Sequence, residues 1–276
     1  MKILAAAFAI VLASATAAVI AATARWNRVT AERVAQLDAG ASTGEVYSEA
    51  MLADLPAPAA RYFRRVLRDG QPIVRSAIAM QEAEFFLNGA WRPVTATEYF
   101  TANPPGLVWD ARIAMMPMLA ALVRDSYVSG RAQMTASIQG VYTIVDQHGT
   151  PELNSGALQR WLGEAVWFPT ALLPSPFVTW SPRDDRSASV TIRDGGTGVA
   201  LLFEFDDSGM VTTVSGDRYQ EINGAYTMKP WLIRCDETKE FSGITIPARC
   251  EVAWLNNGLA EPYWRGRIST MQYVFR

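Results

Sequence analysis

Two acidic and two basic residues lie close together in "LVWDARI" and "ALVRDSYV": Asp110 and Arg112 in the first segment, Arg124 and Asp125 in the second. Alternation along extended chain puts Asp110 and Arg112 on one face and Leu107, Trp109 and Ile113 on the other, with Tyr127 on the face of Asp125. Pairing of the two segments would gather Asp110, Arg112 and one of Arg124 or Asp125. A carboxylate beside arginine is held ionised, which suits binding or orientation better than general-acid catalysis. Three readings compete: a solvated cross-strand ion pair, a polar anchor in a ligand cavity, and a catalytic carboxylate.

Other chemistry is sparse. His148, the single histidine, sits in the turn-like "DQHGT". Ser-His-Asp and Cys-His catalysis would both have to run through it, and a metal site built on two histidines is excluded. Gly140, Gly195-Gly196 and Gly209 lack phosphate-loop spacing. No catalytic residue, metal or cofactor is expected. A net charge of −2 and a pI of about 5.6 leave no basic footprint, so nucleic acid is not an expected partner. The basic run Arg61 to Arg68 reads as one solvated helix face.

Aromatic side chains concentrate in "WLGEAVWFPTALLPSPFVTW", residues 161–180, which holds three of the nine tryptophans. Asn154 can cap a helix through "GALQRWLGEAVW" that Pro169 ends, with Leu158, Trp161, Leu162 and Ala165 on one face. Pro174 and Pro176 then enforce a stiff extended run into Trp180. Trp161, Trp167 and Trp180 either fill the core or line a lid over an apolar cavity. The two cysteines fall in a segment that folds as a hairpin about Ser242-Gly243. That register opposes Phe241 to Ile244, Cys235 to Cys250, Ile233 to Val252 and Trp231 to Trp254, all on one face. Cys235 and Cys250 are therefore expected to be cross-strand neighbours, bonded if the domain is exported. Pro247 removes a ladder donor and could shift the register.

The elements that position these residues begin with "ILAAAFAIVLASATAAVIAATA", residues 3–24, which carries no charge. At about 1.5 Å per residue it spans about 33 Å, enough for a bilayer core. It reads as an uncleaved single-pass anchor, against the alternative of a signal segment cleaved after Ala24. A helical lead-in segment occupies 25–70: an extension of the first helix to Gly40, a short helix in "TGEVYSEAMLADL", and a third after Pro56 with Tyr62, Phe63, Val66 and Leu67 as its apolar stripe. Residues 71–276 read as about eleven strands joined by short turns such as Asn88-Gly89, with the helical insertion at about 154–176. The expected fold is mainly β: a curved antiparallel sheet or half-barrel with N-terminal helices and a helical lid.

The segments "LPAPAARYFRRVL" (55–67), "PPGLVWDAR" (104–112) and "RWLGEAVWFPTALLP" (160–174) together resemble an uncharacterised bacterial membrane-anchored family, a domain of unknown function. The likeness runs from about residue 50 onward and transfers no catalytic residue. The order of elements is also similar to the half-barrel of lipoprotein-carrier and lipoprotein-receptor proteins, a resemblance of fold only. The leading expectation is a single-pass protein of the bacterial inner membrane, held by residues 3–24, with its domain on the exported side. Alternatives are a cleaved periplasmic form or a cytoplasmic domain, the latter favoured by Arg25, Arg28 and Arg33 after the helix. Its partner would be a lipid or other hydrophobic molecule, bound by Trp109, Asp110, Arg112, Asp125, Trp161, Trp167 and Trp180. A carboxylate-dependent enzyme and an assembly module without ligand are the other functions that fit.

Overall fold

The computed structural model describes residues 2–37 and 44–275. Helix α1 (Lys2–Ala35) joins the apolar run and the first lead-in segment into one continuous rod. It is long and apolar enough to cross a membrane, and every residue from Lys2 to Ala18 is exposed. It ends at Ala35, short of the expected Gly40, which itself lies outside the described residues. In place of the second expected helix there is only a 3-10 turn, Glu49–Leu52. Helix α2 (Ala57–Val66) follows Pro56 and carries Pro58 in its first turn, where a missing N–H costs nothing. Its stripe of Tyr62, Phe63, Val66 and Leu67 is buried as the pattern predicts.

Thirteen strands follow among the described residues: β1 (Ser76–Leu87), β2 (Ala90–Thr101), β3 (Gly106–Met116), β4 (Leu119–Val128), β5 (Arg131–Ile138), β6 (Tyr142–His148), β7 (Val178–Asp184), β8 (Ser187–Asp194), β9 (Thr197–Phe205), β10 (Val211–Ile222), β11 (Ala225–Phe241), β12 (Ile244–Asn256) and β13 (Leu259–Val274). Helix α3 (Pro151–Glu164) interrupts them. The two strands beyond the expected eleven have local causes. Gln139 and Gly140 take positive φ and divide "AQMTASIQGVYTIV" into β5 and β6. The stretch around Trp180, expected as a stiff loop, pairs with β8 as edge strand β7; Pro182 is tolerated at an edge, where one row of donors has no strand to bond.

All strands belong to one antiparallel sheet, ordered β6-β5-β4-β3-β2-β1-β13-β12-β11-β10-β9-β8-β7. Asn88-Gly89, Asn223-Gly224, Ser242-Gly243 and Asn257-Gly258 each put both residues at positive φ. This is the turn whose twist matches the strands it joins. The sheet is rolled. Tyr127 on β4 donates a 2.7 Å hydrogen bond to Asp194 on β8, although the two strands are nine positions apart in the order. Laid flat, that separation would be about 43 Å at the usual strand spacing. The two flanks must therefore curl toward each other, and α3 packs against β4 and β5 on one side and β9 and β10 on the other.

The cysteine hairpin forms in the expected register: Cys235 faces Cys250, Ile233 faces Val252 and Trp231 faces Trp254. Pro247 opposes Thr238 without shifting it; the local irregularity falls on Glu237, at φ 50°. Cys235 and Cys250 are disulfide-bonded, with Cα atoms 4.1 Å apart. A bridge closing a loop with a sequence separation of 15 stabilises by about 3 kcal/mol in the chain-entropy account. Reduction should lower the urea midpoint by that amount divided by the m-value, as read in parallel denaturation curves with and without reductant. Coincident curves would show that the bridge contributes nothing.

Candidate functional site

Helix α3 starts one turn before the predicted capping residue. Thr150 accepts from the Leu153 N–H at 3.2 Å, and Pro151 occupies the first helical position. Asn154 instead accepts from the Ala132 N–H of β5 at 2.7 Å and ties the helix to the sheet. The helix runs across the concave face and ends in 3-10 turns at Ala165–Trp167 and Pro169–Leu172. Leu158, Trp161, Leu162 and Ala165 are fully buried, as their spacing predicts. Gly163 permits the closest approach: a Cβ there would stand 2.7 Å from Ile233 Cδ1.

The helix does not fill the concavity. A cavity of about 470 Å³ remains between α3, the wall of β3 to β5, and the wall of β10 to β13. Five of the nine tryptophans line it: Trp109, Trp167, Trp231, Trp254 and Trp264, and the Cys235–Cys250 bridge forms part of its wall. This is the size of a small-molecule site.

The structure divides the residues singled out from the sequence. Trp109, Asp125 and Trp167 line the cavity. Trp161 is core beneath it, donating to the Thr101 carbonyl at 2.9 Å and meeting Phe168 edge-on. Trp180 packs with Phe63 and Phe203 at the α2 side of the core. Asp110 and Arg112 share a face, but it is the convex one, because each is one residue out of phase with Trp109. There Asp110 accepts from Trp26 Nε1 at 2.8 Å, and Arg124, its opposite number on β4, stacks 4.3 Å over the Trp26 ring and donates to Thr30. This cluster holds the end of α1 against the sheet. Burial pushes the Asp110 carboxyl up; the Trp26 hydrogen bond and Arg124 oppose that shift.

The polar end of the cavity rests on a residue the sequence reading missed. Arg160 of α3 bonds Glu98 at 2.8 Å, Asp125 at 3.0 Å and Glu164 at 2.9 Å, and lies 4.9 Å over the Trp109 ring. Gln81 links the group from below, donating to Glu98 at 2.7 Å and accepting from Trp109 Nε1 at 2.8 Å. Glu98 is wholly buried. Desolvation pushes it well above the usual carboxylate range, against the pull of Arg160; Glu164 is raised for the same first reason. Three carboxylates thus crowd around one guanidinium, and burial favours the neutral form of Glu98. Glu164 Oε2 is buried with no hydrogen-bond partner among the described residues. The signal was present in the sequence: alternation in β2 puts Glu98 on the apolar face of Val94, Ala96 and Phe100, and Arg160 and Glu164 are spaced i, i+4 on α3.

A second polar pole faces it. Arg218 of β10 stacks on Trp231 at 5.0 Å and donates to the Gly156 carbonyl at 3.1 Å. Tyr263 Oη accepts from Trp231 Nε1 at 2.9 Å and lies 3.5 Å from Arg218. The cavity is therefore an aromatic chamber with charged groups at its margins. Among the described residues no cluster suited to a metal ion occurs.

Such a rolled antiparallel half-barrel, with a helix across its concave face and residual apolar space beneath, defines the class of fold. The chain belongs to a family of unknown function, DUF6920, whose model matches residues 53–273; all three segments that suggested an uncharacterised family lie inside that span. Comparison with curated proteins finds no match. Similar solved structures include a domain described as an outer-membrane lipoprotein-sorting protein from Vibrio parahaemolyticus, at 9% identity and TM-score 0.40, covering 72% of this chain and 85% of that one. A DUF1329 family protein from Desulfovibrio piger matches at 9% identity and TM-score 0.42, covering 78% and 90%. A LolA superfamily protein from Nitrosomonas europaea matches at 10% identity and TM-score 0.40, covering 78% and 92%.

Proposed function

We propose that this protein is anchored in the bacterial inner membrane by α1 and binds a lipid or other hydrophobic molecule in the tryptophan-lined cavity. The unfilled 470 Å³ between α3 and the sheet carries this reading. At about 30 Å³ per water-sized group, it accommodates about fifteen methylenes, one long acyl chain. At about 0.8 kcal/mol each, their burial supplies about 12 kcal/mol before the cost of association. Trp109 and Trp167 provide apolar wall, and Asp125 offers an acceptor to a polar headgroup. Asp110 serves the α1 contact instead, and Arg112 is exposed on the same convex face. The disulfide supports a domain on the exported side, where such bonds persist.

A cavity-filling substitution tests the reading. Val252→Trp adds a ring to the wall beside Ile233 at a cost of about 1–3 kcal/mol in stability. Native mass spectrometry of the full chain should show a lipid adduct in the wild type and its loss in V252W. A wild-type spectrum without adduct, or an equal adduct in V252W, would sink the proposal.

A further inference from the structure

The turns at one end of the half-barrel carry an unusual set of side chains. Asn88-Gly89, Pro117-Met118, Gln139-Gly140, Asn223-Gly224 and Asn257-Gly258 join strands at this end. Met118 is 93% exposed, Leu259 72% and Tyr142 70%, and Val141, Phe86 and Ile222 are also exposed. Outside α1, half of the large apolar side chains left in solvent stand on or beside these turns. A soluble surface scatters such residues singly; a ring of them marks a contact surface.

Helix α1 identifies what that surface meets. It passes the same end: a Cβ on Gly140 would stand 3.1 Å from the Ala22 carbonyl oxygen. Further along, Trp26 and Thr30 are buried against β3 and β4. The helix is therefore fixed to the domain without a linker, and residues 2–21 project past the turns. Twenty helical residues rise about 30 Å, the thickness of the hydrocarbon core of a bilayer. With α1 spanning the membrane, the apolar turns come to rest at the headgroup level. The opposite end of the concavity is packed solid by Tyr62, Phe63, Phe100 and Phe168, whereas Phe85 and Glu221, both close to the apolar turns, line the cavity. The cavity therefore extends toward the turn end and not toward the packed one.

We infer that this rim sits on the bilayer surface and that the cavity exchanges its occupant, a membrane lipid, directly with the leaflet beneath it. The inference rests on α1 as the anchor and names the source of the ligand proposed above. The test uses the full chain in phosphatidylcholine vesicles, with environment-sensitive fluorophores on Met118→Cys, Leu259→Cys and, as a control in the β9–β10 turn at the far end, Ser208→Cys. These positions are exposed, and the native cysteines are bonded to each other. Both rim labels should shift to the blue and lose most of their intensity when the vesicles carry nitroxide lipid, while the Ser208→Cys label keeps its own. Leu259 decides the matter, because β12 and β13 stand well around the sheet from the strands that hold α1. A Leu259→Cys label behaving like the Ser208→Cys label in co-floated vesicles would overturn the rim contact. Absence of co-flotation would overturn the anchor instead, and the lipid adduct in native mass spectrometry reports on the cavity independently of both.

Discussion

Replacing Arg160 with alanine should destabilise the protein by about 3–5 kcal/mol at neutral pH, the cost of stripping a buried ion cluster of its cation. Glu98, Asp125 and Glu164 converge on that guanidinium, and their side chains are 0%, 15% and 14% exposed. The loss should depend on pH in a defined direction. Glu98 and Glu164 have raised pKa values in the folded protein. Between the ordinary glutamate value and the raised one, the folded state holds more protons than the unfolded chain. Stability therefore falls as pH rises through that window. Removing Arg160 takes away the influence that lowers both values, so the decline steepens. The penalty should be greatest at pH 7 and shrink as pH is lowered toward about 4.5. Glu98→Gln replaces a carboxyl whose neutral form burial favours with a neutral hydrogen-bonding group, so it should flatten the pH profile with little loss of stability. Denaturation curves across pH for the three proteins provide the check. An Arg160→Ala penalty that grows on acidification would refute the upward shift of Glu98 and Glu164.

Trp161→Ala should cost a similar amount, about 3–5 kcal/mol. The indole is fully buried, meets Phe168 at 5.7 Å between ring centroids and satisfies the Thr101 carbonyl. Truncation leaves a void and an unpaired acceptor. For a chain of this size the melting temperature should fall by about 10 °C. The two residues separate the roles of α3: Trp161 holds the helix to the sheet, while Arg160, one residue along and turned toward the cavity, builds the polar end. A melting temperature within 2 °C of wild type would place Trp161 outside the core, at odds with the packing described.

Much of this architecture was legible in residue order because its causes are local. Asn-Gly and Ser-Gly dipeptides accept the positive φ of a tight hairpin, so they marked turns at Asn88-Gly89 and Ser242-Gly243. A two-residue turn fixes every pair outward from it, which is why the opposition of Cys235 to Cys250 followed from sequence alone despite Pro247. The 3.6-residue spacing of Leu158, Trp161, Leu162 and Ala165 identified the buried face of α3. An uncharged run of 22 residues needs no tertiary information to be read as long enough to span a bilayer. Boundaries were less secure: Thr150 outcompeted Asn154 as cap because Pro151 fits the first turn, and Gly140 cut one expected strand into two.

The site depended on contacts that residue order does not encode. Alternation showed that Trp109 and Asp110 face opposite ways, but not which face is the inside. That depends on the direction in which the sheet rolls and on the helix occupying the hollow. Roll sends Trp109 and Asp125 to the cavity and leaves Asp110 beneath α1. It brings Glu98, from a strand 62 residues before Arg160, into hydrogen-bond contact, and sets Arg218 and Trp231 on the facing wall. The sequence by itself determined most of the elements, the tight Asn-Gly and Ser-Gly turns and the cysteine register, because those follow from backbone preference and periodicity. Tertiary structure alone decided the inside of the barrel, the Arg160 cluster and the unfilled volume, because these come from the balance of packing and desolvation among strands far apart along the chain.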